Sequence, residues 1–111
     1  MTTEVKVWLD DWREEPEGWL RTLTVEETIE AIESFNVVEL SLDNDLGIGL
    51  REGIEVMDWL EQRLLCHEIL PPEKMYVHSQ NPVAARNMRQ IIDKLQRCVH
   101  ALRVQRKAET K

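Results

Sequence analysis

Polar side chains suited to chemistry follow three of the four segments that have the pattern of β-strands. These residues are Asp10, Asp11, Asp43, Asp45, His78 and Ser79. Carboxylates held close together repel one another, so one of them takes a raised pKa unless a cation neutralises the group. Oxygen-rich ligand sets favour Mg²⁺, Mn²⁺ or Ca²⁺ over zinc. The residue types therefore favour a hard divalent cation, and magnesium bound by carboxylates together with phosphate oxygens is typical of phosphoryl chemistry.

A phosphate site is predicted beside these carboxylates. Asn81 and Pro82 have the types expected of an N-cap and first residue of a helix, so the amides of that first turn would face an anion. Ser79 precedes them, Arg86 follows one turn later, and Arg13 lies in the first loop. Capping alone could explain Asn81, and a strand-end histidine such as His78 could be purely structural.

Hydrophobic periodicity identifies the elements that must position these residues. Strands are predicted at 5–9, 19–23, 37–42 and 74–78, and helices at 25–34, 51–67 and 82–103. Thr24 and Glu27 form a capping box at the first helix. Strands alternating with helices predict a parallel sheet with helices packed on it. The carboxyl ends of parallel strands share one rim, which is where open α/β sheets bind ligands.

The chain of 111 residues suits a single domain, predicted over residues 1–105, with a basic, frayed tail at 106–111. Its net charge of −7 divides into −13 over residues 1–85 and +6 over residues 86–111. An acidic body opposes strong binding to duplex DNA. The oligomeric state is left open.

Cysteines and apolar runs indicate the compartment. Cys66 and Cys98 have no spacing motif and are interpreted as buried free thiols. We find neither a secretory signal nor a transmembrane run, so we expect a cytoplasmic protein without membrane contact. Among the four tryptophans, Trp8 and Trp59 are interpreted as core residues, and Trp12 and Trp19 as loop cover rather than a platform for base stacking.

Several sequence blocks together resemble the cyclic-phosphate-processing receiver domain family. They are W-L-D-D at 8–11, P-E-G-W at 16–19, R-T at 21–22, E-E at 26–27, S-L-D-N-D-L-G at 41–47, Gly53 and V-H-S-Q-N-P at 77–82. The resemblance spans roughly residues 5–95. It implies a shortened receiver-like (flavodoxin-like) α/β fold, a three-layer sandwich of about four mainly parallel strands and three helices.

The resemblance also implies roles for individual residues. Asp10 and Asp11 match the metal-binding acids of receiver domains, Asp43 matches the phosphoryl-acceptor position, with Asp45 added, and Ser79 matches the hydroxyl position. The chain departs from receivers in having no helix pattern between its first two strands. It also has no fifth strand, and so no matching lysine.

Three functions follow as hypotheses. In the first, Mg²⁺ or Mn²⁺ bound by Asp10, Asp11 and Asp43 supports opening of a cyclic phosphate on an RNA end or a cyclic nucleotide, with Asp43, Asp45 and His78 as catalytic residues. In the second, the domain is a signalling module phosphorylated on Asp43. In the third, it is an adaptor that binds a nucleotide or a protein without chemistry.

Overall fold

The computed structural model describes residues 4–47, 51–65 and 71–109, with the backbone alone for 64–65 and 102–109. The elements in chain order are β1 (Glu4–Leu9), β2 (Leu20–Thr22), α1 (Val25–Ser34), β3 (Asn36–Leu42), α2 (Ile54–Leu65), β4 (Lys74–Val77) and α3 (Pro82–Glu109). No helix among these residues is long and apolar enough to cross a membrane. Cys98 is a half-buried free thiol, whereas Cys66 lies outside the described residues.

The four strands form one sheet in the order β2-β1-β3-β4, and every neighbouring pair is parallel. This is the flavodoxin-like order without its fifth strand. The predicted receiver-like α/β fold, with four strands and three helices, is confirmed. Because all strands run the same way, the residues that follow β1, β3 and β4 meet at one edge of the sheet.

All three helices pack on the same face of the sheet. Right-handed crossovers from β2 to β3 and from β3 to β4 progress in one direction across the sheet, so α1 and α2 lie on one side. The core between the layers contains Val7, Leu9, Leu40, Leu42 and Met75 from the strands, and Val25, Ala31, Ile32, Val56, Met57, Leu60, Met88, Ile92, Leu95 and Val99 from the helices. α3 packs against α2 and β4.

The opposite face of the sheet carries no helix within the described part of the chain. Its side chains include Lys6 and Glu39, which form an ion pair. Trp8 and the exposed Tyr76 lie on the same face. The indole of Trp19 lies edge-on to Trp8, with ring centroids 6.0 Å apart. The observed domain therefore has two layers in place of the expected three, because a loop replaces the helix that would connect β1 to β2 on this face.

Capping defines where α1 and α2 begin. Thr24 Oγ1 accepts a hydrogen bond from the amide of Glu27 (3.1 Å), as the capping box predicts. The Glu27 carboxylate accepts from the Leu23 amide, one residue before the cap. α2 begins at Ile54 rather than at the predicted Arg51, because Asn44 Oδ1 accepts from the Ile54 amide at 3.1 Å and so caps the helix from the preceding loop.

The last helix is longer than its sequence pattern predicted. α3 continues to Glu109, past the predicted end at Arg103, and includes residues 106–109, where a frayed tail was expected. Residues 104–109 contain neither glycine nor proline, and arginine, lysine, alanine and glutamine are good helix formers. The predicted end of α2 at His67 lies outside the described residues.

Candidate metal and phosphate site

Three carboxylates lie together at the carboxyl edge of the sheet. One ligand oxygen from each of Asp10, Asp11 and Asp43 lies within 4.8 Å of the other two. Asp10 is fully buried and Asp43 is 8% exposed, whereas Asp11 is exposed. The strands place these groups, since the Asp43 amide donates to the carbonyl of Leu9 and thereby continues the β1–β3 ladder by one residue. The structure thus brings together the three predicted metal ligands.

Asp10 is the most constrained of the three carboxylates. Its Oδ1 accepts from the amides of Trp12 (2.8 Å) and Arg13 (2.9 Å), and its Oδ2 lies near Arg13 Nη1 (3.3 Å) and His78 Nε2 (3.1 Å). Burial would raise the pKa of Asp10, but the two amides and the neighbouring His78 and Arg13 outweigh burial and lower it. Asp10 is therefore ionised at neutral pH.

Asp43 has the opposite electrostatic environment. Burial raises its pKa, and the negative charges of Asp10 and Asp45 raise it further. The hydrogen bond from the Asn44 amide to Asp43 Oδ1 (2.8 Å) and the charge of Arg13 oppose this shift only in part. Adjacent carboxylates with pKa values displaced in opposite directions are the pattern expected where a bound cation would relieve repulsion.

The raised pKa of Asp43 predicts that the free energy of unfolding depends on pH when no divalent metal is present. The raised pKa of Asp43 gives stabilisation that is present below the ordinary value of 3.8 and lost as pH rises through the folded-state pKa. Asp43→Asn should therefore be more stable than the wild type in EDTA at pH 7. The difference should shrink as pH falls towards about 4. Urea unfolding of both proteins from pH 7 to pH 4 measures it, and a difference that does not change with pH would contradict the assignment.

His78 is held on three sides. Its Nδ1 lies 2.7 Å from Ser41 Oγ, its Nε2 lies 3.1 Å from Asp10 Oδ2, and its ring stacks on Trp8 with centroids 3.7 Å apart and planes within 5°. Burial lowers the pKa of His78 despite the nearby Asp10, so the ring is neutral at pH 7. A neutral ring that donates from Nε2 to a carboxylate must accept at Nδ1, so Ser41 donates its hydroxyl proton.

Two arginines flank Asp10. Arg13 Nη1 donates to the carbonyl of His78 (2.9 Å) as well as to Asp10, and so connects the first loop to the end of β4. Arg21 Nε donates to the carbonyl of Asp10 at 3.0 Å. Sequence reasoning proposed Arg13 but missed Arg21, which was noted only as part of a motif. The register of β2 beside β1, which pairs Arg21 with Trp8, places it there.

Asn44 and Gly53 shape the loop that carries Asp43, and neither was predicted to matter in this way. The Gly53 amide donates to the carbonyl of Asn44 (2.9 Å), and the Asn44 side chain caps α2. A Cβ on Gly53 would lie 1.8 Å from the Asp43 carbonyl oxygen, so only glycine fits. The exposed Asp45 accepts from Asn44 Nδ2 at 3.2 Å and lies outside the three-carboxylate cluster.

The predicted anion site formed by the amides of α3 is not supported. Asn81 Oδ1 accepts from the amides of Val83 and Ala84, both at 3.2 Å, and the Asn81 amide itself donates to Ser79 Oγ. The cap therefore occupies the amides that were expected to bind phosphate. Ser79 keeps a hydroxyl proton to donate, and Asn81 acts as the N-cap. Arg86 is exposed on the next turn of α3, and its predicted role stays a prediction.

The chain matches a known protein family over most of its length. The profile of the cyclic-phosphate processing receiver domain matches residues 5–94, most of the chain and all four strands. The chain belongs to this family. No curated protein and no solved structure matches the chain. The family match covers Asp10, Asp11, Asp43 and His78, so the described edge of the sheet lies within the region that defines the family.

Proposed function

We propose that this receiver-like domain opens a cyclic phosphate with the help of a divalent metal ion, Mg²⁺ or Mn²⁺. The observation that carries the proposal is the cluster of Asp10, Asp11 and Asp43 at the carboxyl edge of a sheet that belongs to a cyclic-phosphate processing family. Its all-oxygen donor set suits a hard cation. The raised pKa of Asp43 is consistent with this fit, since burial and then the charges of Asp10 and Asp45 disfavour its ionised form, and a bound cation would offset both effects.

The metal would supply charge neutralisation at the phosphoryl oxygens of the ester. The protein's residues would supply the remaining functions. Opening adds water across one ring P–O bond, so that the water oxygen joins phosphorus and the departing ring oxygen gains a proton. Asp45 is exposed, whereas both ring nitrogens of His78 already have partners, so Asp45 is the better placed of these two residues to act as the general base that takes the proton from water. Arg13, Arg21 and the Ser79 hydroxyl would orient the phosphate, with Arg86 reaching in from α3.

His78 is better suited to positioning than to proton transfer with the substrate. Both of its ring nitrogens already have partners, Ser41 and Asp10. A histidine that donates to a metal-binding carboxylate orients that carboxylate and tunes its basicity, in the manner of residues that surround metal ligands. We therefore assign His78 the role of orienting the Asp10 carboxylate. Ser41, by donating to Nδ1, keeps the proton of the His78 ring on Nε2.

The proposed reaction is tested with a nucleoside 2′,3′-cyclic phosphate. We expect ring opening in Mg²⁺ or Mn²⁺, none in EDTA, and loss of turnover in Asp43→Asn. Asp93→Asn, an exposed acid on α3 remote from the cluster, is the matched control and should keep full activity. Absence of turnover with every cyclic phosphate tested would overturn the proposal. An increase of one phosphoryl group in mass on Asp43, after incubation with acetyl phosphate, would instead indicate a signalling receiver.

The hydrogen bond from Ser41 to His78 Nδ1 predicts that Ser41→Ala lowers activity without unfolding the domain. Loss of the hydroxyl releases His78 Nδ1 and weakens the orientation of Asp10, which should reduce turnover or metal affinity by roughly 10- to 100-fold. The ¹⁵N chemical shifts of the His78 ring should show loss of the single Nε2–H form. Ser34→Ala, at an exposed position in α1, is the control. Unchanged ring shifts in Ser41→Ala would disprove the assigned hydrogen bond.

A further inference from the structure

The two most exposed large apolar side chains of the described residues follow β1 and β4, whose carboxyl ends lie at the edge of the sheet that carries the carboxylate cluster. Trp12 is 86% exposed and Val83 is 66% exposed. Trp12 follows Asp11 in the loop after β1, and Val83 lies in the first turn of α3, just after the loop from β4. The expectation that Trp12 covers a loop is therefore wrong. The other three tryptophans are half-buried in packing contacts.

The position of Trp12 is determined by the site itself. Its amide and the next one both donate to Asp10 Oδ1, at 2.8 and 2.9 Å. The guanidinium of Arg13 then holds the same turn to the carbonyl of His78. The turn is thus attached to the buried carboxylate and to the end of β4. An indole open to solvent, on a turn this well anchored, is positioned to contact a ligand that binds at the carboxylates.

We infer that Trp12 stacks on the nucleobase of the ligand, so that the substrate is a nucleotide rather than a cyclic phosphate without a base. This inference rests on the proposed function and specifies its substrate class. A tryptophan face stacks on any planar base, and stacking of this kind tolerates every base. The phosphate would lie at the cluster, beside Arg13 and Arg21, and the base would extend outward to Trp12.

The charge around Trp12 limits the length of the nucleic acid. Glu14, Glu15 and Glu17 follow it in the same loop, and all of residues 1–85 carry a net charge of −13. Acidic groups there repel a polyanion, which makes a long RNA a poor ligand for this surface. The shared chemistry is a base next to a cyclic phosphate, and both a free mononucleotide and a short RNA end provide it.

Trp12→Ala, assayed against two substrates, tests the inference. With a nucleoside 2′,3′-cyclic phosphate, we expect KM to rise by roughly 5- to 150-fold, the range for loss of one stacked base, with kcat less affected. With methyl riboside 2′,3′-cyclic phosphate, which has no base, KM should not change. Trp12→Phe should restore most of the affinity. Equal effects of Trp12→Ala on both substrates would overturn the inference and leave Trp12 as a contact for a protein partner.

A binding measurement separates failure of the inference from failure of the proposed chemistry. Titration with a nucleoside 3′-monophosphate, in Mg²⁺, should quench fluorescence in the wild type and not in Trp12→Phe, whereas ribose 5-phosphate should quench neither. This result without turnover would support stacking and reject the reaction. Turnover without a Trp12-dependent quench would support the reaction and reject the stacking. An RNA dodecamer with a 2′,3′-cyclic phosphate end, compared with the mononucleotide, shows which of the two ligands the protein prefers. Tight binding of the dodecamer that does not depend on Trp12 would overturn the inference.

Discussion

Mg²⁺ or Mn²⁺ should raise the unfolding temperature of the wild type by roughly 10–15 °C at saturation, and Asp43→Asn should abolish this rise. A ligand at about 100 times its Kd adds about 2.7 kcal/mol to the free energy of unfolding. In a domain of this size, each kcal/mol raises the unfolding temperature by roughly 4 °C, so this stabilisation corresponds to roughly 10–15 °C. Asp43 is one of three carboxylates within 4.8 Å of one another, so its charge belongs to the proposed ligand set. Thermal unfolding in EDTA, Mg²⁺, Mn²⁺ and Ca²⁺ measures the effect.

Variants of the other two carboxylates provide matched comparisons. Asp11 is exposed, so Asp11→Asn should lose much of the metal response with little change of stability in EDTA. Asp10 is fully buried and accepts from two amides, Arg13 and His78, so Asp10→Asn should lower stability even in EDTA. A metal response retained in both Asp11→Asn and Asp43→Asn would exclude the cluster as the metal site, and the enzyme proposal would fail with it.

Gly53→Ala should be among the most damaging single substitutions in the chain. The new Cβ would lie 1.8 Å from the Asp43 carbonyl oxygen and 3.1 Å from the Asn44 Cα, both backbone atoms that cannot move without shifting the loop. Overpacking of this kind costs about 1–3 kcal/mol or more. The shift should also displace Asp43, so we expect the metal response to disappear together with the loss of stability. Urea unfolding and the thermal response to Mg²⁺ measure the two effects.

Gly18 offers the control for Gly53. Its φ of 87° disfavours other residues, but a Cβ there would meet no atom within 4 Å. Gly18→Ala should therefore cost about 1–2 kcal/mol through backbone strain alone and leave the metal response intact. If Gly53→Ala proved as stable as the wild type, or kept its full response to Mg²⁺, the close approach of the two loop segments would be wrong.

The elements and the main carboxylates could be predicted from the sequence. Alternation in β1 and β3 and helical periodicity in α1 depend on local residue order, which a sequence displays directly. Parallel topology then requires that Asp10 and Asp43 meet at one edge, because they follow neighbouring strands. The family blocks predict a phosphate chemistry for this edge, and the profile match over residues 5–94 confirms the family.

The number of layers and the ends of the helices depended on tertiary structure. The sequence showed that no helix joins β1 to β2, yet only the packing of all three helices on one face revealed two layers. The start of α2 at Ile54 depends on a cap from Asn44, ten residues earlier. Periodicity cannot locate such a boundary, because the capping group is not next to the helix in sequence.

The hydrogen bonds that set each group's chemistry were decided by tertiary structure alone. Ser41 and His78 are 37 residues apart, and His78 and Asp10 are 68 apart. No spacing motif records such contacts, so Ser41 was missed, while the catalytic role predicted for His78 stays a prediction. The cap of α3 shows the same dependence, since Asn81 was a correct N-cap prediction whose side chain uses the amides expected for phosphate. Residue types determined which groups reach the edge, while three-dimensional contacts determined which atoms stay available there.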